Sequence, residues 1–121
     1  MKVAVSAVDN NLDAQVDSHF GRAAFYLIVE SESMTFEYIA NPNVNARGGA
    51  GIQSAQLVID KGVRSLLTGK CGPNAFEVLK TAGINIYENF QGTVREAIQA
   101  FQSDQVVPSY EPGGKPLKQQ I

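Results

Sequence analysis

The stretch VRSLLTGKCGPNAFEVLKTAGINIY, residues 63–87, decides the fold. Val63 to Thr68, with Val63, Leu66 and Leu67, predicts a short strand. Gly69 to Asn74 is loop material, and Pro73 stands where a helix accepts proline at its first position. Ala75, Val78, Leu79 and Ala82 recur at i, i+3, i+4 and i+7, and Gly83 stops the helix that this stripe predicts. Ile84 to Tyr87 then returns as a strand. A strand, a helix and a second strand in so short a span predict a βαβ unit with parallel strands and a right-handed crossover.

Outward from this unit, Ile52 to Lys61 predicts a helix through Ala55, Val58 and Ile59, ended by Gly62. Phe25 to Val29 and Thr35 to Ile39 are two strands with only Glu30 to Met34 between them, which predicts a hairpin. In Lys2 to Val8 nearly every position is apolar or small, as in a strand covered on both faces. On the other side, Thr93 and Glu96 form a capping box, and Val94, Ala97, Ile98 and Phe101 make the stripe of a last helix. The order is β-β-β-α-β-α-β-α, an α/β fold with a five-stranded mixed sheet and helices on both faces. One domain is expected over residues 1–102. From Ser103 the periodicity ends, and Pro108, Pro112 and Pro116 with Gly113 and Gly114 predict a flexible or extended tail over residues 103–121.

Composition narrows the function classes. The chain has 121 residues, 44% hydrophobic and 18% charged, which suits one globular domain with a real core. Ten basic residues stand against twelve acidic ones, a net charge of −2 that offers no footprint for nucleic acid or an anionic membrane. A single cysteine, Cys71, excludes both an internal disulfide framework and a metal site built from four cysteines of this chain. No apolar run approaches a membrane span, and Met1 to Val8 reads as a strand, not as a secretory leader, so a cytoplasmic protein is expected.

Topology then points to a site. With the first three strands as a meander and the last two parallel to the first, four loops fall at one end of the sheet: 9–24, 40–51, 69–74 and 88–92. Open α/β sheets bind ligands at the carboxyl ends of their parallel strands. The only His, His19, and the only Cys, Cys71, both sit in these loops, whereas Met34 falls at the opposite end.

Each candidate residue has two readings. His19 is either a metal ligand through a neutral ring nitrogen or a loop residue that bonds the backbone and fixes the Phe20–Gly21 turn. Cys71 precedes a helix N-terminus, which predicts a lowered thiol pKa and a thiolate ligand; otherwise it is a small inert loop residue. Gly48, Gly49 and Gly51, with Arg47 beside them, either offer amides to an anion or serve helix entry and close packing. The same glycines match a dinucleotide fingerprint only weakly, since no acidic residue ends the next strand. Arg22 pairs with an anionic ligand, or with Asp17 or Glu88. Asp9, Asp13 and Asp17 lack the spacing of a calcium loop and read as solvated acids.

The run Ser18-His19-Phe20-Gly21-Arg22-Ala23 resembles the His-Phe-Gly-Arg-Ala signature of the dinitrogenase iron–molybdenum cofactor biosynthesis family, the NifX and NafY type. Asn41-Pro42, Gly49-Ala50-Gly51-Ile52, Gly72-Pro73-Asn74-Ala75-Phe76, Gly83-Ile84 with Tyr87, and Gly92-Thr93-Val94 with Glu96-Ala97 fit the same family in order over residues 1–102. The resemblance implies a three-layer α/β/α ribonuclease-H-like fold and a nitrogenase-related binding role for an iron–sulfur or iron–molybdenum–sulfur cluster. Some small relatives are associated with a molybdenum–copper–sulfur cluster instead. His19 and Cys71 become the expected metal ligands, and Arg22, Arg47, Gly48, Gly49 and Gly51 the expected cofactor-binding surroundings.

The expected function is therefore that of a non-catalytic carrier for a metal–sulfur cluster or its precursor, passed between donor and acceptor proteins. One Cys and one His do not build a conventional cluster, but they can anchor a preassembled one that brings its own sulfides. Two alternatives are a regulatory adaptor with no cluster and a metal-dependent nuclease. The nuclease needs several carboxylates converging on the sheet, and the first, fourth and fifth strands carry no internal acid.

Overall fold

The computed structural model describes residues 1–112 and 115–116. Strands β1 (Lys2–Ala7), β2 (Phe25–Glu30), β3 (Phe36–Ala40), β4 (Ser65–Leu67) and β5 (Asn85–Tyr87) form one sheet in the order β3-β2-β1-β4-β5. β1 pairs antiparallel with β2, and β2 antiparallel with β3. β1 and β4 are parallel, as are β4 and β5. Helices α1 (Ala50–Ile59), α2 (Pro73–Thr81) and α3 (Val94–Gln102) complete the α/β domain.

The burial of β1 explains its sequence. Ala4 joins Ile28, Leu66 and Ile86 under Ala55 and Val58 of α1 and Phe76 and Leu79 of α2. Val3 and Val5 face the other way, with Leu27, Val29 and Leu67, under Val94, Ala97 and Ile98 of α3. Two helices cover one face and one helix the other, so a central strand has no solvent side to decorate with polar residues. The capping box starts α3 as expected: Thr93 Oγ1 accepts from the Glu96 N–H at 3.1 Å, and Glu96 Oε1 accepts from the Thr93 N–H at 2.8 Å.

The segment after β1 departs from the loop expected there. Leu12, Ala14 and Val16 are buried in the α3-side core. Val16 N–H donates to Gly92 O at 2.8 Å and Val94 N–H to Ala14 O at 2.9 Å. The segment therefore lies as an irregular strand beside the start of α3 and fills the face that a single helix leaves open. Leu12, Ala14 and Val16 alternate with exposed Asp13 and Gln15, a period of two hidden among many turn-forming residues.

Beyond α3, β6 (Ser109–Glu111) and β7 (Lys115–Pro116) pair antiparallel as a separate two-stranded sheet. The flexible tail expected from residue 103 falls in part on residues 113–114 and 117–121, which lie outside the described residues. No helix among the described residues is long and apolar enough to cross a membrane.

Candidate functional site at the carboxyl end of the sheet

The parallel pairing of β1, β4 and β5 brings the loops after them to one end. His19 and Lys70 form an isolated parallel bridge. Phe20 N–H donates to Lys70 O, and Lys70 N–H to Ser18 O, each at 2.8 Å. The two loops thus continue the sheet beyond the end of β4. Their approach depends on Gly69, where an added Cβ would lie 2.6 Å from both Cα and O of Ser18. Backbone, not a pliant side chain, would have to yield. Gly69→Ala is expected to cost about 1–3 kcal/mol of stability, the range for overpacking, read as a lowered denaturant midpoint with an unchanged slope.

Buried polar groups shape the turn at residues 20–23. Asn41, 7% exposed, donates through Nδ2 to Ala23 O at 2.9 Å, Gly21 O at 3.2 Å and Tyr26 Oη at 3.2 Å. Ser54 Oγ donates to Gly21 O at 2.8 Å, and Tyr26 Oη donates to Phe20 O. Burial pushes the Tyr26 phenol well above its ordinary pKa, so it stays protonated as a donor. Gly21 sits so close to α1 that a Cβ would be 2.9 Å from Gly51 Cα. Gly51 in turn meets Ala75 at the α1–α2 crossing, where its own added Cβ would be 3.3 Å from that of Ala75. Close packing is thus the observed task of Gly51, and it seats the turn between the two helix starts.

These contacts leave His19 out of the turn-fixing role that its second reading gave it. Its ring meets Ser18 Oγ at 2.9 Å through Nδ1, and its backbone N–H is held by Asp17 Oδ1 at 3.2 Å. The side chain is exposed, and Nε2 has no hydrogen-bond partner among the described residues. In the tautomer whose Nδ1–H donates to Ser18 Oγ, Nε2 carries an open lone pair, the form a metal needs.

Arg22 does not pair with either carboxylate proposed for it. Asp17 accepts from the amides of His19 and Ala24, and Glu88 Oε2 accepts from the Cys71 N–H at 2.7 Å. Backbone amides fixed by the fold meet these carboxylates first. Arg22 instead donates to Val44 O at 3.2 Å and keeps its charge exposed. Neither Arg22 nor Lys70 makes an ion pair among the described residues.

Cys71 corrects the expectation of a lowered pKa. The residue is 3% exposed and packs among the α1- and α2-side core. Burial, and after it the charge of Glu88, push the thiol up to about 12. Desolvation outweighs the neighbouring helix N-terminus. At neutral pH Cys71 is a thiol, and it becomes a ligand only by giving up its proton to an incoming metal.

All of this surrounds a cavity of about 870 Å³, walled by His19, Arg22, Gly49, Gly51, Lys70 and Cys71 among others. Arg47 and Gly48 lie on the approach to α1 and are not part of the wall. The first residues of α1 and α2 also line it. Neither helix has a side-chain cap or an acidic residue in its first turn, whereas α3 has both. The early amides of α1 and α2 therefore bring two positive helix ends to one cavity, beside the cations of Arg22 and Lys70. Among the described residues no group of three or more His, Cys, Asp or Glu could hold a metal ion.

Fold and site together define an α/β protein with a cavity at the carboxyl end of its sheet, lined by the starts of two helices and by His19, Arg22, Lys70 and Asp17. The chain belongs to the dinitrogenase iron–molybdenum cofactor family, whose model matches residues 1–104. The apo form of the orange protein from Desulfovibrio gigas is 39% identical and superposes with a TM-score of 0.89, over 93% of this chain and 95% of that one. A NifB-like protein from Thermotoga is 36% identical with a TM-score of 0.77, over 88% and 91% of the two chains. An uncharacterised protein of Methanocaldococcus jannaschii is 35% identical over 104 residues, covering 84% of this chain and 85% of the other.

Proposed function

We propose that the cavity holds an anionic iron–sulfur or iron–molybdenum–sulfur cluster, or a precursor of one, and that the chain is a non-catalytic carrier for it. One observation carries the reading. Two uncapped helix N-termini, Arg22 and Lys70 gather around a cavity that His19 also lines, in a chain whose net charge is −2. These groups favour an anion there, although the carboxylate of Asp17 also lines the cavity and that of Glu88 meets the Cys71 amide, so both oppose part of the attraction. The family and its nitrogenase-related relatives support this cargo class, and cluster donors and acceptors are the partners that it implies. The ribonuclease-H-like classification of the sheet likewise rests on the family resemblance.

His19 Nε2 supplies the accessible ligand. Cys71 supplies the second from the cavity wall after losing its proton. The amides of Gly49, Gly51 and the α2 start, with Arg22 and Lys70, offset the cluster's charge. Arg47 and the amide of Gly48 add positive potential on the approach without touching the cargo.

The required deprotonation gives a signature. Below about pH 12 the thiolate fraction of Cys71 rises with pH, so cluster affinity should strengthen by up to about tenfold per unit and uptake should release a proton. Cys71→Ala should flatten that dependence, which anaerobic titrations at several pH values would reveal. A slope identical in the variant would remove Cys71 from the ligand set.

The site itself is tested by following backbone amides by NMR during anaerobic titration with a preformed cluster. Residues 49–52 and 74–75, with His19, should shift or broaden first. A response confined to α3 and the β2–β3 turn would place the cargo elsewhere.

A further inference from the structure

The chain beyond α3 follows a path that the carrier reading does not use. Val106 lies in a hollow with Met1, Ser31 and Glu32, at the end of the sheet opposite the cavity. Pro108 and Ser109 then line a small hollow with Phe76 and Lys80 of α2 and Ile84 and Ile86 at β5. Pro112 is part of the wall of the large cavity itself. About six residues of extended chain reach roughly 20 Å, which is also the length of a six-residue strand such as β1. The segment is therefore long enough to run the length of the sheet. Ser109 pairs antiparallel with Pro116, and Glu111 with Lys115.

We propose that residues 106–112 form a strap along the β5 side of the domain that holds Pro112 over the cavity as a lid, and that detachment of the strap opens the site. The attachment suits a part that moves. β6 lies beside β5 but forms no hydrogen-bonded ladder with it, because the β6–β7 pair is a sheet of its own. Residues 106–109 are only half-buried. Half-buried residues joined to the sheet by no ladder open at lower cost than the core. Pro108 and Pro112 restrict the backbone of the strap and limit the entropy lost when it docks. Gating of the cluster rests on the carrier reading; the strap and its effect on the empty cavity do not.

Cys71 provides a probe that needs no cargo. It is the only cysteine, lines the cavity and is 3% exposed with the strap in place. Iodoacetamide should modify Cys71 of the apo full-length chain slowly, and a chain ending at Gln105 should react about fivefold faster or more while keeping its circular dichroism spectrum. The full-length Pro108→Gly/Pro112→Gly variant should show a smaller increase in the same direction, and it decides the matter if the shortened chain does not fold. A folded shortened chain that reacts at the full-length rate, or an unchanged rate in the double-glycine variant when only that protein folds, would overturn the strap. With cluster loaded, the shortened chain should surrender it to a chelator faster. Failure to load any cluster would count against the carrier reading and leave the thiol result standing.

Discussion

The His19→Ala/Cys71→Ala double variant should take up less than about a tenth of the cluster bound by wild type, with its fold intact. Loss of about 1.4 kcal/mol per ligand already lowers affinity tenfold at each position, and two ligands compound. The fold should survive because His19 is exposed and, among the described residues, its ring has one hydrogen-bond partner, Ser18. Cys71 is buried, but its replacement by Ala removes a single sulfur atom from a large core. Absorbance and metal content after anaerobic loading read the effect, and circular dichroism checks the fold. Uptake equal to wild type in amount and affinity would mean that neither side chain is a ligand. His19→Ala alone should show the larger part of the loss, since its nitrogen needs no deprotonation from a buried state.

Asn41→Ala should give the largest loss of stability among single changes at the site, roughly 3 kcal/mol. The substitution strips Nδ2 from Gly21 O, Ala23 O and Tyr26 Oη at once, and each buried polar group left without a partner costs about 1–3 kcal/mol. Ser54 still serves Gly21 O, and Tyr26 still reaches Phe20 O, so the penalty falls below the sum of three losses. Urea unfolding measures it directly. A loss below about 0.5 kcal/mol, the scale of an ordinary surface change, would show that Asn41 does not hold the turn. Because the turn carries Arg22 and follows His19, the same variant should also bind cluster more weakly while it remains folded.

The fold was legible wherever one element carried its own boundaries. Gly62 and Gly83 end helices in the sequence and in the structure, and Thr93 with Glu96 marks the start of α3. The apolar run of β1 disclosed helices on both faces before any contact was known. Gathering His19 and Cys71 at one end needed only strand directions. What stayed hidden were consequences of contacts between distant segments. Leu12, Ala14 and Val16 alternate, but the core they enter is built by α3, far along the chain. Asn41, Ser54 and Tyr26 meet the turn at residues 20–23 from three separate elements, and no local spacing announces that meeting. Gly69 is legible only as the first residue of a loop, because its constraint comes from the backbone of Ser18 in a distant loop. For Cys71 the neighbouring helix start was readable and the burial was not, so the sign of its pKa shift came out reversed.

The central claim is that this cavity accepts a preformed metal–sulfur cluster. Its most direct test is to titrate the wild-type chain anaerobically, in separate arms, with preassembled iron–sulfur and iron–molybdenum–sulfur clusters, and to count metal and sulfide retained per chain after desalting. Binding that saturates at about one cluster per chain, in at least one arm, is the expected result for a single anion site of this charge and size. Retention of no metal and no sulfide from either cluster type would contradict the account.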